Sequence, residues 1–201
     1  MENIVIQVQM LFLKYGIKSV TMDDIARALS MSKKTLYQHF KNKSDLVIKV
    51  MENHLKFERQ VVEQISGKAK NAMEELIMIN HALCKHIGAV NPSMIYDLEK
   101  YHPEAMKLLE DYKYNEIFNH ILENIKRGTT EGLYREDFDP NIIALLYVAR
   151  IDSLINSSKF TNHTLSEVGD MSIIYHLHGI ASVKGNKVLE KLKLKYNAIS
   201  A

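Results

Sequence analysis

Between Arg27 and Lys43 the chain carries five basic side chains, Arg27, Lys33, Lys34, Lys41 and Lys43, and no aspartate or glutamate. Interleaved with them are Thr35, Tyr37, Gln38 and His39, which hydrogen-bond without a full charge at neutral pH. Cations hold phosphate oxygens, hydroxyls add contacts to the same backbone, and an amide donates and accepts at once, as reading a base edge requires. The concentration is local, because the 201 residues carry a formal net charge of only +2. Residues 1–60 hold 10 Lys and Arg against 6 Asp and Glu, and residues 61–201 hold 16 against 18. A cationic head on a slightly acidic remainder suits phosphate attraction, where released counterions supply much of the affinity. A merely solvated charged face is the alternative, and the local spacing argues against it.

That spacing predicts two short helices around a tight turn. Thr21 is placed to N-cap a helix from about Asp23 to Leu29, with Asp23 and Asp24 in the first turn, where negative charge suits the helix dipole. Ser30, Met31 and Ser32 form the turn, and Ser32 caps a second helix over about Lys33 to Phe40. Leu36 and Phe40 share one face of it, opposite Ile25, Ala26, Leu29 and Met31, which leaves the polar side chains outward. This is helix-turn-helix spacing, with the second helix offered to a major groove. Lys43, at the start of the next helix, is the strongest phosphate candidate; Thr35 and Tyr37 add hydroxyl contacts, and Lys33, Lys34 and Gln38 approach base edges. With Thr21, Arg27 and His39 these residues make up the expected set contacting double-stranded DNA.

Leu11-Phe12, Gly16, Thr21, Ile25-Ala26, Ser32, Thr35-Leu36-Tyr37, His39-Phe40, Lys43 and Leu46 together resemble the N-terminal domain of the TetR/AcrR family of transcriptional regulators. The resemblance covers about the first quarter of the chain. Leu29-Ser30 departs from it, since members of the family very often carry Ala-Gly there. Lys34 departs too, at a position commonly small, so the family's base preference does not carry over. The resemblance implies a homodimeric, all-α regulator whose body often encloses a pocket for a small molecule.

Composition agrees with an ordinary globular protein, 46% hydrophobic and 25% charged, able to build a real core. No apolar run approaches a membrane span and no signal-type segment opens the chain, so a cytoplasmic protein with no membrane partner is expected. One cysteine, Cys84, excludes an intrachain disulfide and is read as a small buried apolar group. Three Pro and eight Gly argue for long helices. Apolar spacing predicts helices ending at Gly16, from Asn42 to Ile65, from Ala69 to Ile87, from Asn91-Pro92 to Lys100, and one from Pro103 to Arg127. Others follow at Pro140 to Asn156 and Leu165 to Ile180, with a short peripheral helix over Lys184 to Tyr196. The expected organisation is a DNA-binding domain at 1–47 and an effector-binding and dimerisation domain at 48–201.

The helix from Pro140 is apolar around much of its circumference and wants burial on two sides. It and the helix from Leu165 are expected to pair with their copies in a second subunit, with Leu146 and Ile174 in the interface. Polar groups among the apolar helices, His81, Tyr96, Tyr112, His120, Tyr147 and Arg150, are the candidates for orienting an effector. No cofactor, metal site or catalytic constellation is expected: His81 and Cys84 share a helical face but His86 turns away, and no phosphate loop, nucleophile elbow or HExxH motif occurs. The reading is a DNA-binding repressor released from a pseudo-palindromic operator by a small molecule. Against it stands a DNA-binding dimer with no effector, whose body only dimerises or recruits a protein; an enzyme is disfavoured.

Overall fold

Helix α1 (Glu2–Tyr15) ends because Gly16 adopts φ 80°, a left-handed conformation natural to glycine, and returns its N–H to the Phe12 carbonyl at 2.9 Å. The computed structural model describes residues 2–87, 93–155, 160 and 162–200. Within them the chain continues as α2 (Met22–Ala28), α3 (Lys33–His39), α4 (Lys43–Ser66), α5 (Ala72–Ile87), α6 (Met94–Tyr101) and α7 (Pro103–Asp111). A π-helical turn (Tyr112–Ile117), α8 (Phe118–Thr130), α9 (Pro140–Ile155), α10 (Leu165–Ile180) and α11 (Val183–Ser200) complete it. The architecture is all-α, and the one β pairing among the described residues is an isolated bridge between Tyr134 and Ala181.

The chain forms two compact units, which divide it differently from the expected break at 47/48. Unit 1 is Met1–Gln60 with Ala89–Tyr112, and unit 2 is Val61–Gly88 with Lys113–Ala201. The break at 47/48 falls inside α4, which is continuous. Specific bonds tie α6 and its end to the first helices of unit 1. The Lys18 main-chain N–H donates to Asp97 Oδ2 at 2.8 Å, Ser44 Oγ lies 3.1 Å from His102 Nδ1, and the Lys18 ammonium sits 5.0 Å from the Tyr101 ring centre. Val8, Phe12, Ile17, Ile25, Leu36, Phe40 and Leu46 are buried in this unit.

In unit 2, α5 packs most extensively on α10, and α8 on α9. Gly169 permits the first of these approaches, since a Cβ there would collide with Cys84 Sγ. Met73, Leu76, Ile121, Ile125, Ile173 and Leu177 lie in its core. A buried polar knot crosses that core: Asn124 Nδ2 donates to Glu75 Oε2 at 2.5 Å and to the Ala72 carbonyl at 3.0 Å, while Arg127 Nη2 reaches Glu75 at 2.8 Å.

Two helix expectations need correction. The single helix predicted from Pro103 to Arg127 is interrupted by the π turn, which places buried Lys113 on Asp152 of α9. The apolar spacing is helical on each side of the π turn, and only the step from Leu109 to Ile117 is out of phase, so the pattern as a whole reads as one helix. The last helix is neither short nor peripheral: α11 has 18 residues, Leu189 and Leu192 enter the core, and Lys195 pairs with Glu74 at 2.7 Å. Its lysines mark only its outer face.

Candidate nucleic-acid interface

Thr21 and Asp24 close a capping box at the start of α2: the Asp24 N–H donates to Thr21 Oγ1 at 3.1 Å, and the Thr21 N–H donates to Asp24 Oδ2 at 3.0 Å. Those bonds from Thr21, helped by the Arg27 charge, hold the Asp24 carboxyl below its ordinary value. Thr21 thus acts as a cap whose side chain is committed within its own helix. Ser30 then turns the chain with φ 52°, the left-handed region where a side chain costs energy and glycine does not. This is the position where the sequence departs from the family's frequent glycine. Ser32 opens α3 by accepting the Thr35 N–H at 3.0 Å, and its Oγ lies 2.7 Å from Thr35 Oγ1.

Burial then sorts α3 into two faces. Leu36 and the C-capping Phe40 are fully buried, while Lys33, Lys34, Tyr37, Gln38 and His39 are exposed and Thr35 is half-buried. Lys33 is not bare: its ammonium pairs with Asp23 of α2 at 2.7 Å, a bond that raises its pKa. An exposed pair of this kind contributes little stability and opens readily for a phosphate. Arg27 is exposed and lies 3.8 Å from Asp24. Lys43 is half-buried, and its Nζ donates to the Lys18 carbonyl at 3.2 Å; burial lowers its pKa, while Asp97 and Asp24 oppose the shift. Lys43 therefore fastens the loop before α2 as well as lying beside the helix-turn-helix.

The ligand candidates separate. Tyr96 and Tyr112 belong to unit 1: Tyr96 is 53% exposed and accepts from Lys100, and Tyr112 is buried with Arg59 over its ring. The other four belong to unit 2. His120 Nε2 faces Glu75 at 3.7 Å, and burial lowers the pKa of the ring against the pull of Glu75. His81 is half-buried and its Nε2 has no partner. Tyr147 and Arg150 are brought together, with the guanidinium 4.5 Å from the ring centre. Asn80, Ser172 and His176 join this pair and were not foreseen. Their signal was present as Ser172 and His176 at i, i+4 on α10, facing residues at i, i+3 on α9. The side chain of His86 lies outside the described residues, and no cluster of three metal-ligating groups occurs among those described.

On the other side of α9 and α10 lies an apolar face. Ile142, Leu145 and Leu146 on α9 and Met171 and Tyr175 on α10 are exposed, Leu146 by 57% and Tyr175 by 82%. Ile174 instead packs half-buried against the core of its own subunit.

A capped α2, a tight turn and an α3 with one buried and one polar face define a helix-turn-helix DNA-binding protein. Residues 9–50 match the model of the bacterial regulatory proteins, tetR family. The chain is 25% identical over 167 residues to the uncharacterized HTH-type transcriptional regulator YvaF of Bacillus subtilis, covering 82% of this chain and 87% of that one. It is 25% identical over 140 residues to the HTH-type transcriptional repressor KstR2 of Mycolicibacterium smegmatis, covering 66% of each. A TetR-family regulator from Agrobacterium tumefaciens matches in fold with a TM-score of 0.74 at 16% identity, over 90% of this chain and 97% of that one. Residues 9–50 are thus a tetR-type helix-turn-helix DNA-binding domain, and the chain as a whole is similar to HTH-type transcriptional regulators. No helix among the described residues is long and apolar enough to cross a membrane.

Proposed function

We propose that the protein represses transcription as a cytoplasmic homodimer on a pseudo-palindromic operator and leaves it when a small molecule binds unit 2. The observation that carries the DNA contact is the sorting of α3: Leu36 and Phe40 buried, Lys34, Tyr37, Gln38 and His39 outward. Lys33, Lys34 and Gln38 read base edges; Thr35, Tyr37, Arg27, His39 and Lys43 hold the backbone, and Thr21 orients α2. The exposed apolar stripe on α9 and α10 supports pairing with a second copy, whose two-fold axis would make the operator a pair of inverted half-sites about one helical turn, or a small multiple, apart. KstR2, a named repressor, supports the sign of regulation.

Unpartnered polar groups around Tyr147 support an effector, because buried donors and acceptors rarely go unsatisfied. The alternative is a dimer whose body takes no ligand. Selecting bound fragments from a random DNA pool, then screening compounds that stabilise the protein for loss of operator affinity, separates them. Inverted half-sites and a compound that releases them are expected. Compounds that stabilise the dimer and leave operator affinity unchanged would favour the effector-free reading.

A further inference from the structure

The amide of Asn80 stands between two opposite charges in unit 2. Its Oδ1 accepts from Arg150 Nη1 at 3.1 Å, and its Nδ2 donates to Asp170 Oδ1 at 3.0 Å. Arg150 Nη1 also donates to Ser172 Oγ at 2.8 Å, and the guanidinium lies over the Tyr147 ring. His176 meets the same ring edge-on, with centres 5.3 Å apart. Both hydrogen bonds of Arg150 to described residues therefore leave from Nη1. Its Nε is buried with no partner, and so is His176 Nε2. No carboxylate among the described residues pairs with the guanidinium directly, and Asp170 reaches it only through Asn80.

We propose that Arg150 and His176 bind the carboxylate of a monoanionic small molecule, against the ring of Tyr147. Three features select that chemistry. The bare Nε belongs to the edge of the guanidinium that, with Nη2, matches two carboxylate oxygens. His176 stays neutral, its pKa pushed down to about 4 by burial and then by Arg150, so it offers one N–H in the appropriate tautomer without adding charge. Asp170, one amide away, disfavours a second negative charge, which sets a carboxylate above a phosphate dianion. Asn80 and Ser172 are positioning residues that hold the guanidinium with its free edge turned away from them. The proposal rests on the reading of unit 2 as the effector-binding part and names the chemistry of its ligand.

The test uses the full-length protein with four probes: acetate, decanoate, decanamide and decyl phosphate. Ring signals of His176 are followed by NMR across pH, and affinities by calorimetry. Acetate and decanoate should raise the apparent pKa of His176, and decanoate should bind at least tenfold more tightly than decanamide or decyl phosphate. Arg150→Gln should lower decanoate affinity roughly ten- to a hundredfold, the loss of a charge-assisted hydrogen bond, and erase the preference over decanamide. Because Arg150→Gln can also loosen the fold, Arg150→Lys and the wild-type titration stand as independent readings. Arg150→Lys should keep the preference for decanoate at reduced affinity. A His176 signal unmoved by both carboxylates, or equal binding of decanoate and decanamide, would overturn the proposal. Tighter binding of decyl phosphate would assign the site to a phosphate monoester and overturn the carboxylate. Operator affinity separates the two readings: decanoate binding that leaves it unchanged preserves this site and removes the effector role, whereas a neutral compound that releases DNA while carboxylates do not bind preserves the effector role and removes this site.

Discussion

The carboxylate of Asp97 on α6 accepts the main-chain N–H of Lys18 at 2.8 Å while itself almost wholly buried. Residues nearly eighty apart in sequence thereby fix the loop that leads into α2. Lys43 grips the same loop through the Lys18 carbonyl. Asp97→Ala leaves an amide without its acceptor and is expected to cost about 1–3 kcal/mol. Asp97→Asn keeps an acceptor and should cost less. Urea unfolding of both variants measures this, and an unchanged midpoint for Asp97→Ala would assign the bond no role in stability.

Ser30 is the point where the helix-turn-helix is strained. At φ 52° a serine side chain costs roughly 1 kcal/mol over glycine, which gives part of that back as extra freedom in the unfolded chain. Ser30→Gly should stabilise the protein by about 0.5 kcal/mol, and Ser30→Val should destabilise it by more than that. A destabilised Ser30→Gly would mean that the serine makes a compensating bond.

DNA contacts divide by what they read. If Lys43 neutralises a phosphate at each of two half-sites, Lys43→Ala should reduce the slope of log affinity against log salt by about 1.8 and weaken specific and random DNA alike. Gln38→Ala should cost about 1–3 kcal/mol on the operator and almost nothing on random DNA. Equal losses on both DNAs for Gln38→Ala would remove it from the base-reading set.

The head was legible because its signals are local. Thr21 and Ser32 each sit three residues from the N–H they cap, and Leu36 and Phe40 are one helical turn apart, so neighbouring residues carry the whole argument. Asp97 with Lys18, or Arg150 with Asn80, involve partners far apart in sequence, and no local spacing announces them. The π turn escapes for another reason: the apolar spacing is helical on both sides of it, and a single out-of-phase step between Leu109 and Ile117 does not by itself break a long helical pattern. The role of α11 was missed because its lysines dominate its composition, while Leu189 and Leu192, one per turn, bury its inner face.

Leu146 and Ile174 were expected to share one role and occupy different positions. Leu146 is exposed on α9, whereas Ile174 packs partly against the core of its own subunit. Leu146→Glu should leave the subunit folded and weaken the dimer by a hundredfold or more, since it buries a charge in an apolar interface. Ile174→Glu should lower the unfolding midpoint as well. Sedimentation alongside circular dichroism resolves the two, and a Leu146→Glu protein that stays dimeric at low micromolar concentration would place the interface elsewhere.

Buried histidines give the fold a defined acid limit. His176 ordinarily titrates near 6.5 and is pushed down to about 4 by burial and Arg150, and burial depresses His102 and His120 as well. A histidine with a lowered folded pKa takes up its proton more readily when unfolded, so its contribution is complete above about pH 6.5 and is lost as pH falls toward 4. His54 runs the other way: Glu58 raises its pKa against desolvation, so its contribution is complete below pH 6.5 and fades as pH rises through the raised value. Carboxylates with lowered pKa, such as Glu74, lose their contribution at lower pH still. Between pH 6.5 and 5 the depressed histidines should therefore dominate, and His176 alone should account for about 1–3 kcal/mol of lost stability over its full range, allowing for partial solvent screening. Urea unfolding at half-unit steps should show stability falling through that window, with a shallower fall for His176→Gln. An identical slope in wild type and variant would mean that His176 takes up its proton in the folded state at its ordinary value.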